Sequence, residues 1–109
     1  MELKKYVLFN NNEISILEEL DSFYVKNNSL FLKNGRVWLG DFKKTSDNLL
    51  DLVEVGDLVA HRFWGETESI IQEVFRIEDI LNPIVNSGET KAIYKRQQNG
   101  DFKRYEVKE

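Results

Sequence analysis

The sequence predicts a small, mainly β domain: an antiparallel, SH3-like, partly open barrel with one or two short helical segments. Aromatic residues make up 12% of the chain and, with Val and Ile, favour pleated and half-buried surfaces. Asn- and Gly-containing turn signals recur at short intervals, which is typical of short antiparallel strands. A length of 109 residues with 41% hydrophobic content supports one globular domain over residues 1–109. A barrel would bury such strands and limit their bare edges.

The clearest local prediction is a three-stranded meander. Phe23–Lys26 and Ser29–Leu32 are predicted strands that flank Asn27-Asn28, because Asn tolerates the left-handed conformation of a tight hairpin. Asn34-Gly35 predicts a type I′ turn, in which both central residues need positive φ. A third strand, Val37–Leu39, follows this turn.

The elements on either side of the meander are less uniform. Tyr6–Phe9 is a predicted strand closed by three successive Asn residues, whereas Ile14–Leu20 fits either a strand or a helical turn. Thr45-Ser46-Asp47 offers capping oxygens for a short helical turn over Asn48–Leu52. The central segment therefore separates the meander from a second group of strands.

The second half of the chain is predicted to contain a strand at Leu58–Arg62, a loop at Phe63–Glu68 and a terminal hairpin formed by Thr90–Arg96 and Phe102–Val107. Ser69–Leu81 is ambiguous. Its apolar residues recur at helical spacing, which slightly favours a helix, but its content of Ile, Val and Phe favours a strand. The helical face would contain Ile70, Val74, Ile77 and Leu81.

Composition excludes several kinds of chemistry. The chain has no Cys, so disulfides, thiolate zinc sites and cysteine nucleophiles are absent. One His, His61, makes a His-based metal site or catalytic triad unexpected. His61 with Glu66 or Glu68 could act as a general base, but a strand-end His is the simpler interpretation. We predict no enzyme, no cofactor and no metal.

The run Asn48-Leu49-Leu50-Asp51-Leu52-Val53-Glu54-Val55-Gly56-Asp57-Leu58-Val59 resembles a pattern found in small uncharacterised proteins of phages and prophages of Gram-positive bacteria. Members of that group also end in a segment similar to residues 91–98 followed by residues 102–107. The resemblance covers about half of the chain. It departs from the pattern at Leu58, where Tyr is usual, and in the long 62–69 loop. It implies a phage-associated origin and a β-rich fold, and it implies no activity.

The same run has a direct physical interpretation. Gly56 permits a turn that the Asp57 side chain can cap. Full burial of each large apolar side chain in the run would contribute about 1.5–3 kcal/mol. The side chains expected to be buried are those of Leu49, Leu50, Leu52, Val53 and Val55.

Charge is distributed unevenly along the chain, whose formal net charge is −4. Two stretches contain acids and no bases, and we predict that they bind a basic surface on a partner protein through complementary potentials. A loop containing an exposed aromatic pair is a second candidate anchor, since Trp and Arg are enriched at interface hot spots. Alternatively, Trp64 folds back onto the barrel. The acidic candidates are Glu13, Glu18, Glu19, Asp21, Asp47, Asp51, Glu54 and Asp57, and the loop candidates are Arg62, Phe63 and Trp64.

The C-terminal hairpin carries six bases against three acids from Thr90 onward. This excess supports an alternative prediction, in which the hairpin contacts nucleic acid by phosphate pairing and aromatic stacking. The candidate residues are Lys91, Tyr94, Lys95, Arg96, Lys103, Arg104 and Tyr105.

Taken together, these features predict a phage-type, non-enzymatic binding protein that inhibits or modulates a host protein, such as a defence nuclease. Two alternatives stay open: a nucleic-acid-binding accessory protein and a self-assembling virion component. No stretch approaches the roughly 20 apolar residues of a membrane span, and no signal peptide opens the chain. A location in the cytoplasm of a bacterial host is therefore expected.

Overall fold

The computed structural model describes residues 3–63, 70–76 and 88–107. The chain divides into two compact units, Met1–Leu52 and Val53–Glu109. The prediction of a mainly β, antiparallel fold is confirmed, because each unit is built on one antiparallel sheet. The described strands form two sheets and no closed barrel. The grouping of all 109 residues into one cooperative domain stays a prediction.

The first unit contains a five-stranded sheet with the spatial order β2-β1-β5-β4-β3. Two short 3₁₀ turns, Leu20–Ser22 and Leu49–Leu52, accompany it. Its strands are β1 (Tyr6–Phe9), β2 (Ile14–Ile16), β3 (Phe23–Lys26), β4 (Ser29–Leu32) and β5 (Val37–Ser46). The ambiguous segment Ile14–Leu20 therefore contributes a strand at its start, and a separate 3₁₀ turn begins at its last residue.

The two turns of the meander differ in how well the sequence predicted them. Asn27 and Asn28 both have positive φ, 51° and 62°, and they close the β3–β4 hairpin as expected. In the next turn the positive values fall at Gly35 (84°) and Arg36 (51°), so the prediction for Asn34 is wrong. This connection spans four residues, and the Arg36 N–H donates to the Lys33 carbonyl at 3.4 Å. The two left-handed residues consequently sit one position later than in a two-residue type I′ turn.

Strand β5 is much longer than the predicted Val37–Leu39. Its first half pairs with β4 and its second half pairs with β1, so it joins the meander to the N-terminal hairpin. Gly40 lies between these halves with φ 139°. A Cβ at this position would lie 3.2 Å from Cδ1 of Phe9, so the close approach of β1 also favours glycine here.

One core cluster of the first unit lies on one face of this sheet, whereas Tyr6 and Leu8, which alternate with Val7 along β1, are buried on the other face. Val7, Leu17, Leu30 and Phe42 are buried together, and Phe23 is among the partly buried apolar residues that pack against them. Each strand alternates its side chains between the two faces of a sheet. The residues that alternate with this core set on β3 and β4 therefore lie on the opposite face.

The 3₁₀ turn at Leu49–Leu52 forms where the capping residues predicted a helical turn. The Ser46 hydroxyl oxygen accepts the Asn48 N–H at 3.1 Å, and the Asn48 side-chain oxygen accepts the Leu50 N–H at 3.1 Å. These bonds satisfy N–H groups that lack partners at the start of a helical turn.

Burial of the apolar run that surrounds this turn is confirmed only in part. Leu49, Leu52 and Val53 are buried, and Leu50 is half-buried. Val55 is 62% exposed, so the prediction of its burial is wrong. The Asp57 N–H donates to the Glu54 carbonyl at 3.1 Å, and this tight turn directs the Val55 side chain outward.

The second unit contains a four-stranded sheet with the order β7-β6-β8-β9. The predicted C-terminal hairpin is confirmed as β8 and β9. The strand β6 extends through Phe63, so the predicted loop is wrong at that residue, and residues 64–69 lie outside the described part. The strands are β6 (Leu58–Phe63), β7 (Ile70–Glu73), β8 (Gly88–Arg96) and β9 (Phe102–Glu106).

The structure describes residues 70–76 of the ambiguous segment Ser69–Leu81, and the first four of them form a strand. Ile70–Glu73 forms β7 and pairs with β6, although the apolar spacing slightly favoured a helix. Pairing to an existing strand satisfies the backbone here and overrides the periodicity. Residues 77–81 lie outside the described part. Within the described ranges, no helix combines the length and apolar composition needed to cross a membrane.

Candidate functional site

The first unit contains a groove of about 530 Å³ beside the predicted acidic segment. Ile16, Phe23 and Leu32 contribute its apolar surface. Glu18 and Glu19 contribute carboxylates to its lining. The remaining lining residues are Ser22, Lys33 and Asn34. The groove therefore combines an apolar lining, which we call its floor, with two acids and one base, Lys33. Sequence reasoning did not find it because its residues come from separate parts of the chain.

The acids of the first base-free stretch remain available to solvent. Glu13, Glu18, Glu19 and Asp21 are all exposed, and we call them the acidic segment. The Ser22 hydroxyl donates to Glu19 Oε2 at 3.3 Å, which helps to hold this carboxylate at the groove. No base occurs between Lys5 and Lys26, so the negative potential of this segment has no neighbour in sequence to neutralise it.

The second base-free stretch is different, because its acids hold local structure together. Asp47 Oδ1 accepts the Lys5 N–H at 3.2 Å, and its Oδ2 lies 3.8 Å from Lys4 Nζ. Asp51 Oδ2 accepts the Ser46 hydroxyl at 2.6 Å. Bases that are distant in sequence thus approach this stretch, and its free negative charge is smaller than the sequence predicted.

Asp57 is the clearest correction among the predicted partner-binding acids. Its side chain is buried, and its Oδ2 accepts Lys95 Nζ at 2.5 Å and the Glu54 N–H at 2.8 Å. Its Oδ1 accepts the Arg96 N–H at 3.1 Å. Lys95 Nζ also donates to Glu54 Oε1 at 3.0 Å. A carboxylate with these buried partners cannot contact another protein.

Lys95 is the corresponding correction among the predicted nucleic-acid residues. Its side chain is fully buried, with a relative exposure of 0%, so it cannot reach a phosphate. A buried ammonium group requires close anionic partners, and Asp57 and Glu54 supply them. We call Glu54, Asp57 and Lys95 the buried ion cluster.

The remaining bases of the hairpin do not form one surface. Tyr94 pairs with Arg104 and Lys95 pairs with Lys103, and consecutive residues on a strand point to opposite faces. Lys103 and Tyr105 therefore lie on the face opposite Tyr94 and Arg104, where Lys103 Nζ is 5.7 Å from the Tyr105 ring centre.

The exposed face of the hairpin is partly neutralised. Arg104 donates hydrogen bonds to the Glu106 carboxylate and to the Tyr94 hydroxyl. The bond to Glu106 is the main cause that raises the pKa of Arg104, and the same bond lowers the pKa of Glu106. Arg96 is exposed, whereas Lys91 is half-buried. The predicted nucleic-acid residues of the hairpin are therefore divided between its two faces.

The predicted loop anchor cannot be assigned a binding geometry. Arg62 and Phe63 form the end of β6, where they pair with Glu89 and Gly88 of β8. Trp64 lies outside the described residues, so the choice between an exposed and a folded-back side chain stays open.

His61 lies in β6, two residues before the strand ends, as the strand-end interpretation expected, and the structure shows that it is buried. Its Nδ1 is 3.0 Å from the Thr90 hydroxyl oxygen. Glu66 and Glu68, the carboxylates considered for a general-base role, lie outside the described part. Burial lowers the pKa of His61, because desolvation disfavours the charged imidazolium.

This lowered pKa gives a testable pH dependence. In the unfolded chain His61 binds a proton at about pH 6.5, whereas the folded protein binds it only at lower pH. The unfolded state then holds more protons between these two pKa values, so the free energy of unfolding should fall as pH decreases below about 6.5. Urea unfolding between about pH 5 and 8 measures this effect. A His61→Gln variant should show a flatter profile, and an unchanged slope would contradict the assignment.

A row of aromatic side chains crosses the meander, and the sequence analysis did not identify it. Tyr24 and Phe31 pair across β3 and β4, with ring centres 5.0 Å apart and planes at 9°. Phe31 in turn pairs with Trp38 of β5, which is 59% exposed. We call these three residues the aromatic strip. The two-residue Asn turn fixes the register of Tyr24 and Phe31, so two of the three members of the strip could have been read from the sequence.

The described residues contain no group of three or more His, Cys, Asp or Glu side chains that could hold a metal ion. Comparisons with protein-family models, curated proteins and solved structures found no match.

Proposed function

We propose that the protein is a phage-type, non-enzymatic binding protein that modulates a host protein by engaging one of its basic segments. The observation that carries the proposal is the groove beside the acidic segment. Its floor of Ile16, Phe23 and Leu32 suits an apolar side chain, and the carboxylates around it suit Lys or Arg residues on either side of that side chain. Complementary charge would speed encounter and fix the register of the bound segment.

The lining of the groove suggests which side chains a bound protein segment should carry. Apolar contact with the floor supplies affinity through desolvation, whereas the exposed carboxylates supply selectivity for basic over acidic partners. Exposed ion pairs contribute little individually, so the apolar anchor is needed for binding. The resemblance to phage and prophage proteins makes a bacterial host protein the expected source of the segment.

The proposal can be tested with short synthetic peptides. We expect a peptide with Lys and Arg around a central Leu to bind, and to bind more weakly as salt is added. The double variant Glu18→Lys/Glu19→Lys should weaken binding about tenfold or more, because like charges then oppose each other. Isothermal titration calorimetry measures these affinities. The matched charge reversal is Glu73→Lys, which changes an exposed acid of β7 and should leave binding unchanged.

Two peptide controls separate the parts of the proposed site. Replacing the central Leu with Ser should remove the apolar anchor, and replacing the bases with Glu should remove the charge match. Equal affinity for all three peptides would contradict the proposal. With a lysate of a Gram-positive bacterium, wild-type protein should retain a basic host protein that the double variant does not retain. Recovery of no host protein by the wild type would count against the modulator role.

A further inference from the structure

We propose that the outer face of the β3–β4–β5 meander binds single-stranded nucleic acid, with bases stacking on the aromatic strip and phosphates contacting nearby Lys and Arg side chains. This site is separate from the groove, and it lies away from the hairpin that the sequence favoured for nucleic acid.

The aromatic strip lies on the face of the meander opposite the core cluster that contains Leu30 and Phe42. Phe23, Val25 and Leu30 belong to the core of the first unit or pack against it. Tyr24 and Phe31 alternate with these residues along β3 and β4, so they point to the other side. Three large aromatic residues placed across neighbouring strands on an outer face have no role in the core cluster. Tyr24 and Phe31 are half-buried and Trp38 is 59% exposed, so the feature that needs another explanation is the exposed end of the strip at Trp38.

The ring geometry suits a planar ligand. Tyr24 and Phe31 already form a parallel stack, and Trp38 continues the row at its exposed end. Another flat ring can extend such a stack at Trp38, whose side chain is 59% exposed. Stacking on aromatic side chains is the common way in which proteins hold unpaired bases, and it tolerates any base because each has a π face.

The charge near the strip favours a ligand that carries phosphates in addition to flat rings. Residues 22–40 contain three bases, Lys26, Lys33 and Arg36, and no acid. Lys26 is two residues beyond Tyr24 on β3 and therefore shares its face, and Arg36 lies in the turn two residues before Trp38. Both side chains are exposed. Asp41 lies in the same row as Lys26 and Ser29, and its carboxylate accepts a hydrogen bond from the Ser29 hydroxyl. Phosphates would contact the strip at Lys26 and Arg36.

The two proposed sites use opposite faces of the same meander. Phe23 and Leu32 line the groove, and they alternate with Tyr24 and Phe31 of the strip. The acidic segment would repel phosphates near the groove, whereas Lys26 shares the outer face with the strip. One sheet can thus hold a basic protein segment on one side and a nucleic-acid strand on the other.

The experiment uses fluorescein-labelled oligo(dT) and oligo(rU) with the full-length protein. Fluorescence anisotropy at about 50 mM salt should show binding, since phosphate contacts are strongest at low salt. Trp38→Ala should raise Kd about tenfold or more, while Trp38→Phe should keep most of the affinity because it retains a ring. Lys26→Gln combined with Arg36→Gln should weaken binding and reduce the salt dependence of log Kd by about 0.7 for each phosphate that the protein no longer neutralises.

Matched controls distinguish this face from the C-terminal hairpin. Phe102→Ala removes a 41% exposed aromatic residue of β9, and Arg104→Gln removes an exposed cation of the same strand. Neither substitution should change the affinity. Binding of the oligonucleotide should quench tryptophan fluorescence less in Trp38→Phe than in wild type. This measurement tests the site even if Trp38→Ala does not fold. Comparison of the two oligonucleotides shows whether DNA or RNA is preferred.

Three results would overturn the proposal. They are the failure of both oligonucleotides to bind at low salt, equal Kd for Trp38→Ala and wild type, and loss of affinity only in the hairpin variants. The outcome is independent of the proposed protein-binding function. Glu18→Lys/Glu19→Lys should not weaken oligonucleotide binding, and Trp38→Ala should not weaken binding of the basic peptide.

Discussion

Replacing Asp57 with Ala is expected to lower the free energy of unfolding by about 3–5 kcal/mol, because the substitution leaves the buried charge of Lys95 without its closest partner. The ammonium group of Lys95 is fully buried, and its Nζ lies 2.5 Å from Asp57 Oδ2. Glu54 remains as a second carboxylate at 3.0 Å, but its side chain is 44% exposed and compensates less well. The Ala variant also loses the acceptor for the backbone N–H groups of Glu54 and Arg96.

Urea unfolding followed by circular dichroism measures this loss. The control is Glu73→Gln, an exposed carboxylate in the same unit, which should change stability by no more than about 0.5 kcal/mol. Combining Asp57→Ala with Lys95→Met should recover part of the loss, since the double variant no longer contains an unpaired buried charge. A loss for Asp57→Ala as small as that of the control would show that the buried ion cluster does not stabilise the second unit.

Leu30→Ala is expected to destabilise the first unit by about 2–5 kcal/mol. Leu30 has a relative exposure of 0% and packs with Val7, Leu17 and Phe42 in the core cluster. The substitution removes buried methyl groups and leaves a cavity that a β-sheet core can close only in part. The same urea measurement gives the magnitude.

The matched control is Leu20→Ala, which removes the same atoms from a side chain that is 39% exposed. Its effect should be much smaller, and equal losses at both positions would contradict the assigned core. Hydrogen exchange in the Leu30 and Asp57 variants also tests the expectation of one cooperative domain. If the units unfold together, each substitution will reduce protection in both; if not, protection will fall only in the unit that carries the change.

The proposed sites explain why the acidic total of the chain is a poor guide to its partners. A net charge of −4 counts Asp57 and Lys95, which neutralise each other inside the second unit. It also adds the charges of the exposed acidic segment, which lies at the groove, to the charge of Lys26, which lies on the outer face of the meander. Local charge at each face is therefore the relevant quantity for binding.

Local sequence signals determined the hairpins. The β3–β4 pair matches the predicted ranges because two Asn residues can both adopt positive φ, and a two-residue loop then fixes the register. The C-terminal hairpin was also predictable, since two short segments that contain β-favouring residues flank a Gly-containing turn. The strand register placed Tyr24 opposite Phe31, so two of the three members of the aromatic strip follow from the sequence.

Tertiary structure decided the elements whose partners are distant in the chain. The second half of β5 has a polar sequence, and it becomes a strand because β1 supplies hydrogen bonds to it. Ile70–Glu73 begins a longer segment whose apolar residues recur at helical spacing, and pairing with β6 makes these four residues a strand. The groove and the third member of the aromatic strip depend on the same kind of long-range pairing.

The sequence by itself determined the mainly β class, the tight hairpins and the uneven placement of charge, because each follows from residues within one turn or strand. Only the tertiary structure decided which charges are available to a partner. Asp57 and Lys95 are separated by 38 residues and become one buried pair when β6 and β8 associate. Burial and pairing depend on contacts between distant segments, and neither composition nor periodicity records them.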